Sequence, residues 1–496
     1  MHARHLIAHA ASLLGACAAA VSLALVLPTP AQAASALVLQ DQSALRAAPK
    51  DAAPLLTPLW RGEALELRGV KGDWLQVWDH GRERGGFVRA QVLLSIPAGD
   101  AALPELLAQL RLVRQQAGAE ALGLGLAAAL IERADSDWLA GPEGAEMLDA
   151  LVQLQERLAE RVNGAGPHQQ TSSAAHAEVA KRYGYPLRAL PQADGSQRLC
   201  ANEEPARLLR AHPAADAAAQ ARAALALTNP ACIPADLPAA QQLALHSQRS
   251  AWLEGISLTA LPPTLRNRLL LRRAGVWSSL AFAERARDMR PAALMALEAW
   301  SQLIPAELSE DDAAALREAA IRLAPMRHAM RPRPASLRFG NLELRPEAGG
   351  AGETCVRLFA HVNGKVEPRG EPRCSHGAIH LASARLSPDG RSLALAVQPL
   401  DGWTELWRLS ADGSQQVLPP SSSGPGLGVA EFAGFVGPQM LVAREAISPE
   451  GRSLRRFEVY GPELLQPQRW AGEYTLLGAF QRGADAGWKA GSPLAR

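Results

Sequence analysis

Residues 55–92 read LLTPLWRGEALELRGVKGDWLQVWDHGRERGGFVRAQV, and this stretch decides how the N-terminal part folds. Leu65 and Leu67 alternate with Glu66 and Arg68, the pattern of a half-buried strand. Gly69 and Gly72 bracket an expected turn over residues 69–73. Strand side chains alternate, so Trp74, Gln76 and Trp78 share one face and Leu75 and Val77 the other. Residues 80–86 read as a polar hairpin loop carrying Arg82, Glu83 and Arg84, and Phe87-Val88 opens the return strand. Short strands with tight glycine turns over roughly sixty residues predict a small β-barrel.

Working outward, Leu45-Arg46 with Pro49 comes first, then Leu59-Trp60-Arg61-Gly62 with Leu65 and Leu67. Asp73-Trp74-Leu75-Gln76-Val77 and Gly86-Phe87-Val88 follow in order. Over residues 36–96 this series resembles the bacterial SH3 (SH3b) family. The resemblance implies binding, to cell-wall peptidoglycan or peptides, and not catalysis. Trp60, Trp74, Trp78 and Phe87 are candidates to line a ligand groove, with barrel packing as their other role. The candidate ligand-binding set is Trp74, Trp78, Phe87, Arg82 and Arg84.

The chain has 496 residues, 48% of them hydrophobic, which suffices for several cored domains. Its 51 basic and 49 acidic residues leave a net charge of +2, without the concentrated basic face of a nucleic-acid binder. Residues 1–33 read as a signal peptide: a weakly basic start at Arg4, an apolar run over 16–27, and Ala31-Gln32-Ala33 as the cleavage site. An uncleaved anchor is another reading of that run, and a lipoprotein box at Leu14-Gly15-Ala16-Cys17 a third, against which the apolar run continues past Cys17. No later apolar run reaches the roughly 18 residues of a membrane helix, so a periplasmic or secreted protein is expected, without a span once the signal is removed. Cys200, Cys232, Cys355 and Cys374 then remain, and an oxidising compartment favours disulfides. Pairing within regions, Cys200–Cys232 and Cys355–Cys374, is the simplest of three possibilities. No Cys/His spacing suits a metal, and nothing calls for a cofactor.

From residue 100 to 330 the apolar residues recur at helical spacing. Leu106, Leu107, Leu110 and Val113 form one stripe; Met147, Leu148, Leu151, Leu154 and Leu158 a second; Leu294, Leu297, Trp300 and Leu303 a third. Prolines such as Pro142, Pro263 and Pro291 mark helix starts. Ser309-Glu310-Asp311-Asp312 reads as an N-cap with an acidic first turn. Eight to ten helices stacked as antiparallel hairpins are expected, without a fixed repeat. Gly123 and Gly125 read as packing glycines, residues 163–173 as a flexible loop, and residues 188–198 as a small hairpin.

Residues 336–490 change to strand texture. Asn363-Gly364 signals a hairpin, and Ser387-Pro388-Asp389-Gly390 a tight turn before Leu393, Leu395 and Val397. Residues 384–415, with Leu406-Trp407 following that turn, resemble the TolB-type β-propeller repeat. A weaker copy spans 432–460, with Ser448-Pro449-Glu450-Gly451 in another register. The resemblance implies a protein-interaction platform. At about 40 residues per blade the segment barely reaches the four blades of a closed propeller, so a partial propeller or a sandwich stays open.

The predicted architecture is therefore a small SH3-like barrel, an all-α domain and an all-β propeller-like domain. No nucleophile elbow, zinc-protease helix or phosphate-binding loop occurs. The functional expectation is an exported, non-catalytic binding protein of the cell envelope whose barrel docks on cell wall or peptide. The alternative is a periplasmic scaffold binding envelope proteins through its helical and propeller-like regions.

Overall fold

The computed structural model describes residues 35–495 except 98, 193, 194, 235, 236, 333, 423, 425, 449, 450, 464 and 465. The signal-peptide expectation for 1–33, Asp194 of the small hairpin, and Pro449 and Glu450 of the weaker repeat copy lie outside the described residues.

Seven short strands open the chain: β1 (Ser35–Val38), β2 (Ser43–Arg46), β3 (Leu55–Leu59), β4 (Ala64–Lys71), β5 (Trp74–Asp79), β6 (Arg84–Arg89) and β7 (Leu93–Ile96). They form one antiparallel sheet in the order β3-β2-β6-β5-β4-β1-β7. Ala36, Leu45, Leu59, Leu65, Val77, Val88 and Leu93 pack together in one buried cluster. All seven strands contribute to that cluster, so the sheet curls over on itself. The expected turn shifts: Lys71 pairs with Trp74, and the turn is Gly72-Asp73, with Gly72 at φ 58°. Gly69 instead follows a β-bulge, where one extra residue on β4 breaks the ladder register. The next loop is also shorter, because Asp79 already pairs with Arg84.

The middle of the chain is helical. Ten α-helices of eight or more residues lie between residues 103 and 323 among the described residues, with two shorter ones beside them. The stripe Leu106, Leu107, Leu110 and Val113 is buried, as are Met147, Leu151, Leu154 and Leu158. Of the third stripe, Trp300 and Leu303 are buried and Leu297 packs against the same core, and only Leu294 falls outside it. Leu294 is 52% exposed, and the helix Arg290–Ser301 buries Ala292, Ala293, Ala296 and Ala299 beside Trp300. Alanine's small apolar face lets helices approach closely, and a leucine-based pattern search misses it. Residues 170–173 belong to the helix Gln170–Arg182 rather than to a loop, and Ser173 is buried. Pro142 and Pro263 each begin a helix, and Ser309 with Asp312 closes a capping box. The small hairpin pairs Arg188–Pro191 with Gln197–Cys200.

The C-terminal part has a four-stranded sheet over residues 337–375 and a nine-stranded sheet over residues 378–471. Asn363 and Gly364 have φ 52° and 76°, the paired left-handed geometry of a tight hairpin. In the turn at 387–390, Ser387 Oγ donates to Asp389 at 2.6 Å and Gly390 takes φ 68°. Leu393, Leu395 and Val397 beyond it are fully buried. The larger sheet is two antiparallel runs joined where Trp403–Ser410 meets Leu427–Val436 through a short parallel contact. With the smaller sheet that makes three runs among the described residues, one fewer than closes a propeller. The region is not all β: helices Gly478–Gly483 and Ala486–Gly491 bring Phe480 and Trp488 onto Phe457.

The disulfides are Cys200–Cys232 and Cys355–Cys374, the latter joining directly opposed strand residues. No helix of the described residues is long and apolar enough to cross a membrane.

Candidate functional site

One side of the N-terminal sheet is committed to the helices. Leu37 and Ile96 join a core formed with the helices Leu103–Val113, Glu120–Arg133 and Pro142–Asn163. Gly62 (φ 85°) lies against the backbone of Ala121, where an added Cβ would sit 2.4 Å from its carbonyl oxygen. Gly125 packs in the same seam, against Leu37 and Tyr183, and Gly123 packs against Leu154. Arg82 belongs to this side. Its guanidinium donates to both oxygens of buried Glu63, at 2.7 and 3.1 Å, and to Asp79. Arg182 of the helix Gln170–Arg182 reaches Glu63 as well, at 3.3 Å. The guanidinium of Arg82 is therefore part of the docking seam.

The other side of β4–β6 carries the aromatic residues. The register places Trp74 opposite Arg89, Gln76 opposite Phe87, and Trp78 opposite Gly85. Trp74, Gln76, Trp78 and Phe87 thus share one face, while Val77 and Val88 point into the core. Each aromatic ring carries a cation: Arg89 lies 4.4 Å over Trp74, Arg68 4.4 Å over Trp78, and Lys71 5.4 Å from Phe87. Trp74 is only 6% exposed beneath its guanidinium, whereas Trp78 and Phe87 are half-buried and Gln76 is open. Cation–π contacts at exposed sites are worth about 0.5–1 kcal/mol. Arg68 is also ion-paired with Glu66 at 3.1 Å, and Arg89 with Asp51 and, at 3.6 Å, with Asp73, so displacing either breaks an ion pair as well as a ring contact.

The structure thus brings Trp74, Trp78 and Phe87 together and leaves Arg82 and Arg84 elsewhere. Strand alternation puts Arg84 on the face of Gly86 and Val88, and its guanidinium donates to the Leu56 carbonyl at 3.2 Å. The cations that do share the aromatic face are Arg68, Lys71 and Arg89. Hairpin register carries the signal for Arg89, because pairing Trp78 with Gly85 sets Trp74 against it.

A second constellation joins residues far apart in sequence. Buried His176 donates from Nε2 to Asp41 at 2.7 Å and accepts at Nδ1 from Arg161 at 2.7 Å. Arg161 also pairs with Glu120 at 2.8 Å. Burial pushes the Asp41 carboxyl up, but hydrogen bonds from His176 and from the Arg61 backbone outweigh it and hold the pKa below the usual value. Buried Ser173 sits one helical turn before His176, giving a Ser/His/Asp trio. Both imidazole nitrogens are already engaged, so neither is left to take the Ser173 proton. The set acts as a strut between sheet and helices.

Near the second disulfide, His376 lies 3.3 Å from Glu353, which adjoins Cys355 and Cys374. The sulfurs of that cluster are bonded to each other, and thiolates are what a metal would require.

No family model matches the chain, and no curated protein or solved structure shows significant similarity to it.

Proposed function

We propose that this is an exported, non-catalytic binding protein of the cell envelope whose N-terminal sheet, an SH3b-like barrel, docks on cell-wall peptidoglycan or a cell-wall peptide. The observation that carries the reading is the aromatic face of β4–β6. Trp74, Trp78 and Phe87 lie side by side under three cations, on the side of the sheet turned away from the helices. Flat apolar rings suit sugar and peptide stems; Arg68 and Arg89 are engaged by Glu66 and by Asp51 and Asp73, which leaves Lys71, among the described residues, to meet a ligand carboxylate. Two disulfides fit an oxidising compartment. The test is co-sedimentation of residues 34–496 with insoluble peptidoglycan. The protein should pellet with the wall, and a folded Trp74→Ala/Trp78→Ala variant should stay in the supernatant. Equal recovery of both would defeat the assignment of the site.

A second reading, a scaffold for envelope proteins, draws on the last strand of the large sheet, Pro467–Ala471. It is an edge strand, and its Trp470 is 57% exposed with Arg456 4.7 Å above the ring. Sheet edges recruit extended partner segments by strand addition. Crosslinks in cells through residue 470, without wall association, would favour it over the first reading.

A further inference from the structure

A groove of about 980 Å³ opens where the helical region meets the large C-terminal sheet. It lies between the helices Pro142–Asn163, Pro263–Ala283 and Ala313–Leu323, the small hairpin, and the strand ends at Ile447 and Ser453. Its volume is that of a small-molecule site. Its wall is unusually rich in arginine. Arg222 and Arg268 are committed to Asp149 and Asp312, each within 2.7 Å. Three others are not. Arg157 has its Nε and Nη2 buried without a hydrogen-bond partner among the described residues, and Arg198 and Arg317 each have Nε in the same condition.

Buried guanidinium N–H groups are strong donors that folded proteins satisfy almost without exception. These three come from three separate elements: the long helix, the hairpin strand Gln197–Cys200 and the helix Ala313–Leu323. Unmet Nε groups also occur elsewhere among the described residues, at Arg161, Arg327 and Arg373; what distinguishes these three is that they line one groove. Arg272 lies on the same wall and donates to the Leu225 carbonyl at 2.9 Å. The acids near the set offset it only in part: buried Glu445 faces Arg317, and burial holds its carboxyl above the usual range. Glu318 is held by Arg322 at 3.1 Å, and Asp311 and Glu160 are exposed. Burial pushes the Glu156 carboxyl up to about 7, so that at mildly acidic pH it adds no negative charge.

We propose that this groove binds a small oligoanion, a molecule carrying two or more carboxylate or phosphate groups that Arg157, Arg198 and Arg317 engage together. The guanidinium fork matches both anions bidentately, and the spread of the three arginines over separate elements selects a ligand with several anionic groups over a single one. The site is distinct from the aromatic face of the N-terminal sheet and does not depend on it.

The experiment is calorimetric titration and thermal melting of residues 34–496 with citrate in one arm and tripolyphosphate in the other, against sodium chloride at matched ionic strength. At least one oligoanion should bind and raise the melting temperature where chloride does not, and the stronger arm identifies the anion class. Arg157→Gln/Arg317→Gln should weaken binding at least tenfold, since hydrogen bonds to charged groups are each worth about that factor. The same variant should still melt cooperatively without ligand, although Arg317→Gln takes a cation from buried Glu445. Should it unfold, Arg198→Gln on the hairpin strand serves in its place, with the same tenfold loss expected. Failure of both oligoanions to bind, or undiminished binding by the folded variants, overturns the proposal.

Discussion

The Tyr183 hydroxyl donates a 2.6 Å hydrogen bond to the carbonyl of Gly62. This bond crosses from the C-cap of the helix Gln170–Arg182 to the loop before β4, at the point where Gly62 meets Ala121. Burial, with Glu63 nearby, pushes the Tyr183 hydroxyl pKa well above its ordinary value, so it stays a donor throughout the physiological range. Tyr183→Phe should cost about 1–3 kcal/mol, the penalty for leaving a buried acceptor unmet. Gly62→Ala should cost more, about 2–5 kcal/mol, because left-handed strain adds to the contact with the Ala121 backbone. Urea melts supply both values. Proteolysis within residues 36–96 should accelerate in the Gly62→Ala protein, since the sheet loses its seat.

Arg82 and Arg84 lie two residues apart and should behave oppositely. Arg82→Ala leaves Glu63 and Asp79 buried with one fewer cation, and breaking such pairs costs about 3–5 kcal/mol. The 24% exposure of the Arg82 side chain puts the expected loss at the lower end of that range. Arg84→Ala, at an exposed site, should stay within about 0.5 kcal/mol of wild type. Chemical denaturation of the two variants side by side decides this. A neutral Arg82→Ala would mean that Arg182 alone satisfies Glu63.

What the sequence made legible was local. The turns at Asn363-Gly364 and at residues 387–390, the capping box at Ser309, and the Leu106 and Leu151 stripes all depend on residues within a few positions of each other. The outward face of Trp74 and Trp78 was legible for the same reason, since strand alternation has a period of two. Long-range pairing hid the rest. Asp41 and His176 are 135 positions apart, and Arg82 reaches Glu63 across 19, so nothing in the loop around Arg82 marks it as part of a seam. The alanines of the helix Arg290–Ser301 were hidden because they are small, and the larger Leu294 was drawn into a stripe whose other members, Leu297, Trp300 and Leu303, do meet the core. The groove arginines are silent for the same reason as Asp41: they come together only when three elements pack.

Glu156 predicts a pH dependence. Its carboxyl accepts a 3.3 Å hydrogen bond from Asn229, and burial raises its pKa from 4.5 to about 7. Below pH 4.5 the group is protonated in both folded and unfolded chains, and its contribution to stability is fully present. As pH rises, the unfolded chain ionises first and is favoured. The contribution is lost through pH 7, where the folded protein ionises too. The shift corresponds to roughly 3 kcal/mol. Glu156→Gln keeps the oxygen facing Asn229 and removes the ionisation. Its stability relative to wild type should therefore rise between pH 4.5 and 8 and level off above that. Parallel stability–pH curves for the two proteins would contradict the raised value.

The disulfides should contribute comparably, although they sit in different surroundings. Cys200–Cys232 ties the small hairpin to the turn Pro230–Cys232 in the helical region, across 32 residues. Cys355–Cys374 ties two strands already joined by their ladder, across 19 residues. A bond acts chiefly by restricting the unfolded chain, so loop length and not native surroundings sets the scale. Loops of these sizes give on the order of 3–4 kcal/mol each, and their ratio makes the longer one worth only about 0.5 kcal/mol more. Cys200→Ser/Cys232→Ser and Cys355→Ser/Cys374→Ser proteins should thus lose similar stability, each a large share of the roughly 5–15 kcal/mol typical of a folded domain. If the ladder dominated instead, the second variant would be almost neutral while the first was severely weakened. Non-reducing peptide mapping of protein recovered from an oxidising compartment comes first: it should return two crosslinked peptides, 200 with 232 and 355 with 374. A bond from either helical-region cysteine to either strand cysteine would require residues 200–232 to pack against the four-stranded sheet, in place of the arrangement described above.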